Sequence, residues 1–382
     1  ERAETVEAGS PPQAGSPQAG SPQAGSHSTS PGSPACRDAE YQSFAVGEIA
    51  IVCSRYELGT IDRVKPFRRG SRRSPKAVLE TARGRLLLKR RAAEHDSMRR
   101  LVFAHAIQSK LLASGLPLAR LVRTRDGQSS VMHEGRVYEL FDFVEGRRYD
   151  RSVRDTADAG ITLARLHTAL ADSAPSALPG HGSYHDAPVV ADGLRTIASR
   201  SAGSPEAACC SRLASVYAGA SARVRSLGIA TWPRQVVHAD FHPGNLVFQT
   251  PQDDGQPAGA RVRAILDFDA CRMGARAIDV ANAALQFSVL RSDREPASWP
   301  DGLDLDRLRA FITAYDRVPG CLLSKAEMAA LPWLMTEALI AEATIPIRTS
   351  GRFGPYPGEA FLAMVERKTA WVAEHAGAIE SL

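Results

Sequence analysis

Residues 236–248 hold the side chains in this sequence that are best suited to chemistry. The stretch reads VVHADFHPGNLVF, in which a short polar segment lies between two apolar runs. Such a pattern predicts a strand, a tight loop and a second strand. The loop presents His238, Asp240 and Asn245, and the Pro-Gly pair between the acid and the amide favours a turn. One short support therefore delivers a carboxylate and an amide oxygen to the same place.

A second apolar strand, further along the chain, ends in carboxylates. Residues 264–269 read AILDFD, so Asp267 opens the loop that follows this strand. Phosphoryl transfer needs such groups because its transition state is loose and anionic, and the protein supplies positioning and countercharge. One carboxylate must accept the proton of the attacking hydroxyl, and other oxygens must hold Mg²⁺ against the nucleotide phosphates. Asp240 suits the first task, and Asn245 with Asp267 suits the second.

Each short piece of this pattern is common by itself. A histidine two residues before an aspartate carries little information, and Pro-Gly-Asn alone is simply a turn. The full octet HADFHPGN followed by ILDFD is much harder to obtain by chance. We therefore weigh a functional site above a purely structural loop.

Composition limits the class of protein. The chain has 382 residues, 44% of them hydrophobic, which is enough for a large core and two or three units. No apolar run approaches the roughly 20 residues that span a bilayer, and the N-terminus has no apolar signal segment. The six cysteines lack the spacing of zinc or redox pairs. We expect no membrane partner, free thiols and a cytoplasmic location.

Positive charge is concentrated ahead of the polar loop. Residues 41–150 hold 22 basic and 12 acidic residues, a net charge of +10, whereas residues 1–40 carry −3 and residues 151–382 carry −2. This distribution suits a polyanionic ligand, either a nucleoside triphosphate or a nucleic acid. Nucleic acid is the weaker hypothesis, because the basic segment has neither interleaved aromatic residues nor a known motif.

The N-terminal half shows a tail, a hairpin and a strand. Residues 1–40 repeat AGSPQ with little apolar content, which predicts a disordered tail. Residues 77–89 predict a hairpin whose second strand ends in Lys89. Residues 135–146, GRVYELFDFVEG, predict an apolar strand that runs into a glycine, as a hinge between two lobes would.

Helical periodicity dominates the rest of the chain. We predict a loop with a possible short helix over residues 173–205 and a loop over residues 271–276. The predicted helices cover residues 94–114, 156–171, 207–227, 278–285, 304–316, 324–343 and 358–375.

These features together resemble the aminoglycoside phosphotransferase and choline kinase-like family, which shares the protein-kinase fold. The resemblance runs from about Tyr41 to the C-terminus and is most specific in HADFHPGN, in ILDFD and in DVA at residues 279–281. It implies an α+β fold with a small β-rich, nucleotide-binding N-lobe over residues 41–145. A larger helical C-lobe over residues 146–382 would carry the catalytic loop and the helices that bind the acceptor, with ATP in the cleft between the lobes.

The resemblance also implies roles for particular residues. Asp240 would be the catalytic base, and Lys89 would bind phosphate. The implied Mg²⁺ ligands are Asn245 and Asp267. The implied supports of the loop are His238 and Asp279. Asp279 would bond the backbone of the loop rather than the substrate.

Other nucleotide contacts are expected in the N-lobe. The basic turn over residues 67–76, FRRGSRRSPK, sits where a loop would cover the phosphates, so Ser71 and Ser74 are candidate contacts. The backbone near Phe143 and Val144 would line the adenine pocket.

The sequence departs from the family at the partner of the lysine. The family pairs this lysine with a glutamate on the next helix, which should fall near Ala104 or His105, and neither is acidic. Glu94 and Asp96, the only acids of the predicted helix, lie at its start. The partner of Lys89 is therefore open.

Three functions fit these residues. The leading hypothesis is an ATP- and Mg²⁺-dependent phosphotransferase acting on a hydroxyl of a small molecule, in the manner of aminoglycoside, choline or homoserine kinases. A Ser/Thr protein kinase is the second, although the Ala-Pro-Glu signature is absent after Asp269. A nucleotide-binding module with weak turnover is the third, because the helix glutamate is missing. Acids that could hold the acceptor, although solvated helix faces are the default for them, are Asp301, Asp304, Glu337 and Glu342.

Overall fold

The computed structural model describes most of the chain after the N-terminal segment. The described residues are 43–68, 74–92, 97–173, 183–250, 262–292 and 295–382. The chain divides into a unit over Glu1–Glu40 and a unit over Tyr41–Leu382, and every described residue belongs to the second. The predicted tail and the candidate Ser71 lie outside the described residues.

An antiparallel sheet forms the N-terminal part of this unit. Its strands run in the order β1-β2-β3-β5-β4, and the helices α1 (Val46–Cys53) and α2 (Met98–Ala113) accompany it. The strands are β1 (Ile61–Pro66), β2 (Lys76–Thr81), β3 (Gly84–Arg90), β4 (Val131–His133) and β5 (Arg136–Asp142). Leucines of β2, β3 and β5 are buried against α1, which fixes the face that the sheet turns to its core.

The predicted hairpin is confirmed, and its register decides which side chains meet. β2 and β3 pair antiparallel from Lys76 opposite Lys89 to Thr81 opposite Gly84. β3 then pairs with β5, and Lys89 lies directly opposite Glu139. Because directly opposed residues of an antiparallel pair share a face, these three charged side chains project to the same side of the sheet.

Helices form most of the remaining chain. α8 packs against α4, α5, α6 and α9, and α3 packs against α7. Gly160 permits the second contact, since a Cβ at this position would collide with the backbone carbonyl of Phe311. The helices are α3 (Val153–Leu170), α4 (Pro188–Arg200), α5 (Pro205–Ser226), α6 (Arg276–Ser288), α7 (Leu305–Asp316), α8 (Lys325–Ser350), α9 (Gly358–Glu374) and α10 (Ala376–Glu380).

By length and composition alone, helix α8 could cross a membrane. The sequence analysis had expected no apolar stretch of that length. In this fold, however, 67% of its most apolar window is buried inside the protein. The helix begins with a capping box, in which the side chains of Ser324 and Glu327 bond each other's backbone. The position of α8 is that of a core helix. Among the described residues, the five cysteines are free thiols.

Two small sheets carry the polar loops. β6 (Arg234–Val237) pairs with β9 (Arg272–Ala275), and β7 (Leu246–Phe248) pairs with β8 (Val262–Ile265), in both cases antiparallel. A further two-stranded sheet joins β10 (Arg352–Phe353) and β11 (Tyr356–Pro357). The loop between β6 and β7 and the loop between β8 and β9 thus emerge from neighbouring supports.

Several local predictions were wrong. Residues 271–276 contain strand β9 rather than a loop, because β6, a partner distant in sequence, supplies its hydrogen bonds. Residues 188–200 form a complete helix, which buries Val190, Leu194 and Ile197. Helix α8 continues past the predicted end at residue 343 to residue 350.

The buried face of α2 departs from a purely apolar pattern. Met98 and Val102 are 52% and 62% exposed, whereas the polar residues His105 and Gln108 are buried. His105 is accommodated because its ring nitrogens bond Ser129 and Glu139 at 2.8 and 2.7 Å. Hydrophobic periodicity cannot register a buried polar residue whose partners lie on other elements.

Candidate active site

Asp279, near the start of α6, holds the loop after β6. Its carboxylate accepts hydrogen bonds from the backbone N–H groups of His238 and Ala239, at 2.8 and 2.9 Å. His167 contacts the same carboxylate at 3.1 Å. Burial disfavours the charged form of Asp279, but these hydrogen bonds outweigh it and hold its pKa below the ordinary value. Ala239 adopts the left-handed conformation, with φ of 64°, so the fixed backbone turns sharply just before Asp240.

Asp240 and Asn245 face each other within this loop. The side-chain amide of Asn245 donates to the backbone oxygen and to Oδ2 of Asp240, both at 3.0 Å. Asp240 keeps 48% of its side-chain surface exposed, and His242 lies 3.7 Å from its other oxygen. Partial burial raises the pKa of Asp240 to about 6, and His242 opposes the rise. A carboxyl group with this proton affinity suits general base catalysis near neutral pH.

The loop after β8 is joined to the first loop through the backbone. The N–H of Leu266 donates to the carbonyl of Asn245 at 2.8 Å. His238 accepts from the N–H of Asp240 through Nδ1 and donates from Nε2 to the carbonyl of Leu266, each at 3.3 Å. Asp267 is the next residue and has φ of 63°. These bonds hold the loops of Asn245 and Asp267 side by side.

Lys89 reaches the same place from β3. Its Nζ lies 2.8 Å from Asp269, 3.3 Å from Asp267 and 4.0 Å from Glu139. Burial disfavours the lysine charge, but the carboxylates of Asp267 and Asp269 outweigh it and raise the pKa of Lys89. In turn, the charge of Lys89 holds the pKa of Asp267 well below its usual range. Lys89 and Asp267 therefore stabilise each other's charged forms.

The oxygen donors of these loops fit Mg²⁺. Asn245 spends its amide nitrogen on Asp240, which leaves its amide oxygen for another partner. Asp267 supplies an ionised carboxylate next to it. Mg²⁺ prefers hard oxygen ligands and keeps several positions for water and phosphate, so two protein oxygens suffice. In the described part of the chain, no group of three or more His, Cys, Asp or Glu side chains forms a closed metal site.

The segment after β5 is bonded both to β3 and to β7. The N–H of Phe143 donates to the carbonyl of Arg85 at 3.0 Å, and Phe143 and Val144 are partly exposed. Arg147 exchanges two backbone hydrogen bonds of 2.9 Å with Phe248, which anchors the segment on β7. Such a segment can offer backbone groups to an adenine ring.

Ser74 behaves differently from the other predicted contacts. It is 6% exposed, and its hydroxyl donates to the carbonyl of Arg90 at 2.8 Å. The structure thus brings Asp240, Asn245, Asp267 and Lys89 together with their supports His238 and Asp279, but uses the hydroxyl of Ser74 inside the N-lobe. The roles assigned to these residues stay predictions.

The sequence analysis assigned no role to three charged residues that lie around Lys89, namely Arg91, Glu139 and Asp269. Arg91 and Glu139 are each 1% exposed and pair at 3.0 Å, and Arg91 also contacts Asp269 at 2.7 Å. Asp269 was visible in the ILDFD motif, and Arg91 follows Lys89 at the two-residue period of a strand. Glu139 gave no local signal, because only the register of β5 against β3 brings it to Lys89.

A further acidic group, Glu342, interacts electrostatically with Asp240. Glu342 of α8 accepts a hydrogen bond from the amide of Gln286 at 2.5 Å and is bonded by Asn282, both on α6. Glu342 is exposed at the surface of α8, yet desolvation by the protein around it raises its pKa to about 7, and the charge of Asp240 raises that pKa further. Asn282 is 7% exposed, and its Oδ1 has no hydrogen-bond partner among the described residues.

The other acids proposed for the acceptor are engaged elsewhere. Asp301 pairs with Arg367 at 2.6 Å, and Asp304 caps α7 and pairs with Arg307 at 2.8 Å. Glu337 is fully buried and bonds His185, Ser221 and the backbone of Asp186. Of the four candidates, Glu342 is therefore the one that we relate to Asp240, because their carboxyl groups interact electrostatically.

The family follows from a comparison of the whole chain. A model of the phosphotransferase enzyme family (APH) matches residues 63–321, more than half of the chain. The chain belongs to this family, and the resemblance stated from the sequence motifs is confirmed. The expected class of enzyme, a phosphotransferase or kinase, is confirmed with it.

Individual relatives agree with this assignment. A homoserine kinase of Bradyrhizobium sp. (strain BTAi1 / ATCC BAA-1182) is 27% identical over 313 residues, which cover 79% of this chain and 84% of the relative. The microcompartment-associated aminopropanol kinase has a TM-score of 0.61 at 16% identity, covering 86% of this chain and 96% of that chain. Amicoumacin kinase in complex with AMP-PNP, Ca²⁺ and Ami also has a TM-score of 0.61, at 12% identity, covering 88% and 94%. The predicted kinase-like α+β fold is confirmed.

Proposed function

We propose that this protein transfers the γ-phosphate of ATP, with Mg²⁺, to a hydroxyl group of a small molecule. The observation that carries the proposal is the convergence of Asp240, Asn245, Asp267 and Lys89 through a continuous set of hydrogen bonds and ion pairs. Membership of the phosphotransferase family and the AMP-PNP complex of a structural neighbour support nucleotide use.

Each residue of this set has a task in the transfer. Asp240 accepts the proton of the acceptor hydroxyl while the hydroxyl oxygen of the acceptor forms a bond to the γ-phosphorus. The bond from that phosphorus to the bridging oxygen breaks, and ADP leaves. Lys89 offsets negative charge on the phosphates. Asn245 and Asp267 would hold Mg²⁺, which neutralises charge on the phosphate oxygens when bound.

We further propose that the acceptor is an alcohol that also carries an amine. Glu342 places a carboxylate within electrostatic reach of Asp240, and the buried Oδ1 of its neighbour Asn282 has no hydrogen-bond partner among the described residues. An ammonium group donates several hydrogen bonds and would satisfy both oxygens. The names of a relative, homoserine kinase, and of a structural neighbour, aminopropanol kinase, refer to alcohols of this kind.

The contacts of Lys89 remove the reason for proposing a nucleotide-binding module with weak turnover. It depended on the absence of an acidic partner for Lys89, and Glu139, Asp267 and Asp269 all lie within 4.0 Å of its Nζ. No contact of the described residues favours a protein substrate over a small molecule.

A screen of ATP consumption tests the proposal. Wild-type protein is assayed with amino alcohols, sugars and aminoglycosides, and the Asp240→Asn variant provides the blank. We expect acceptor-dependent ADP formation with amino alcohols, absent in the variant. ATP consumption by neither protein with any acceptor, despite measurable Mg-ATP binding, would contradict a transfer function.

A further inference from the structure

The acids around Lys89 come from strands and loops. Helix α2, with the sequence MRRLVFAHAIQSKLLA, contains no acidic residue. His105 occupies the position where the resembled family would place a glutamate, and it turns its Nε2 toward Glu139 at 2.7 Å. The helix therefore reaches the lysine through a histidine and a strand carboxylate instead of directly.

Sheet register fixes Glu139 on the lysine. β3 and β5 pair antiparallel with Lys89 opposite Glu139, so their side chains share a face of the sheet. One oxygen of Glu139 lies 4.0 Å from the lysine Nζ, and the other contacts His105. Burial disfavours the charge of Glu139, but the His105 hydrogen bond, Lys89 and Arg91 outweigh it and lower its pKa to about 2.

Arg91 completes a ring of alternating charges. It lies two residues after Lys89 and contacts Glu139 at 3.0 Å and Asp269 at 2.7 Å. Lys89 contacts the same two acids, at 4.0 and 2.8 Å. Two cations, one near the end of β3 and one just after it, are thus held between one carboxylate of the sheet and one carboxylate of the loop after β8. Buried ion pairs offset their desolvation cost only when several good contacts converge, as they do here.

We propose that Glu139 is the positioning residue of Lys89 and replaces the helix glutamate of the family, with His105 and Arg91 orienting its carboxylate. This inference rests on the proposed function, in which Lys89 contacts the ATP phosphates. Asp269 is nearer to Lys89, but it belongs to the loop of the metal ligand Asp267. Glu139 belongs to the same sheet as Lys89, so it can hold the lysine while the ammonium group turns from the aspartates to phosphate.

The test measures nucleotide affinity directly, by calorimetry with Mg-ATP on the full chain, together with steady-state kinetics. Glu139→Gln should weaken ATP binding at least about tenfold and raise the KM for ATP, with the KM for the acceptor unchanged. His105→Glu in the same chain returns a carboxylate to the helix side, and the double variant should recover most of the lost affinity. Glu80→Gln, which removes a partly exposed acid paired with Lys65 on the same sheet, should change neither quantity.

Folding is followed by thermal unfolding, because Glu139→Gln also removes a partner of buried Arg91. If that variant does not fold, Glu139→Asp keeps the charge but withdraws it by one methylene, and a raised KM for ATP is still expected. A folded Glu139→Gln protein with wild-type ATP affinity would overturn the proposal. So would a folded double variant without any recovery. Since binding is measured without turnover, wild-type protein that binds Mg-ATP but transfers nothing would refute the proposed function and leave this comparison valid.

Discussion

The two sides of the cleft are built in different ways. On the proposed phosphate side, backbone N–H groups donate hydrogen bonds of 2.8–2.9 Å to the carboxylate of Asp279 and to the carbonyl of Asn245, which fix the loops of Asp240 and Asp267. On the proposed acceptor side, Glu342 is held by the side chains of Gln286 and Asn282. The groups assigned to the reaction are thus fixed through the backbone of their loops, whereas the group assigned to recognition is fixed through side chains of helix α6. Reaction and acceptor choice can therefore vary independently.

This difference between the phosphate side and the acceptor side leads us to expect different kinetic effects of substitutions on the two sides. A substitution on the phosphate side should lower turnover for every acceptor, because all of them share one transfer geometry. A substitution on the acceptor side should alter KM according to the chemistry of the acceptor. The following predictions test this separation, beginning with the largest effect.

Asp240→Asn should cause the greatest loss. The amide cannot accept the hydroxyl proton, so we expect kcat to fall by about 10²–10⁴-fold for all acceptors. Affinity for Mg-ATP should stay near that of the wild type, which calorimetry measures. Retained turnover in this variant would remove Asp240 from the reaction.

Asp267→Asn should follow. Losing the ionised oxygen next to Asn245 should lower kcat/KM for ATP by about 10²-fold, because charge stabilisation at the phosphates is lost. Titration with Mg²⁺ should show a raised metal requirement, and excess Mg²⁺ should recover part of the activity. An unchanged Mg²⁺ dependence would argue against Asp267 as a ligand.

Glu342→Gln tests whether the proposed acceptor side recognises the amine of the acceptor. Removing a charged hydrogen-bond partner should raise the KM for an amino alcohol about 10- to 100-fold. A diol of equal length, which lacks the ammonium group, should show the same KM in variant and wild type, and kcat should change little. An equal change in KM for the amino alcohol and for the diol would show that Glu342 does not bind the amine.

The smallest expected effect is a pH dependence of the same subsite. Glu342 has its pKa raised to about 7, with Asp240 the facing charge and Gln286 and Asn282 its other neighbours. A carboxyl with a raised pKa is neutral below that value, so ammonium binding should weaken as pH falls through 7. Between pH 8 and pH 6 we expect the KM for an amino alcohol to rise by about tenfold in the wild type. Glu342→Gln should lose this rise in KM and keep only the fall in kcat that accompanies protonation of Asp240, whose pKa is about 6.

The sequence predicted the phosphate side because its chemistry is local. Asp240 and Asn245 lie in one short loop, and Asp267 ends a recognisable strand, so spacing alone indicated their convergence. Glu139 could not be predicted, since its contact with Lys89 depends on strand register. Glu342 stood among several surface acids, and only the packing of α8 against α6 separated it from them. Strand β9 escaped prediction for the same reason, because its partner β6 is distant in sequence.

The most direct measurement follows the γ-phosphate itself. Protein, Mg²⁺, an amino alcohol and ATP labelled in the γ-phosphate are incubated, and the products are identified by mass spectrometry and phosphorus NMR. The account predicts that the label appears as a phosphate ester on the hydroxyl oxygen of the acceptor, and only with Asp240 intact. Label found solely in inorganic phosphate or on the protein, with or without Asp240, would contradict it.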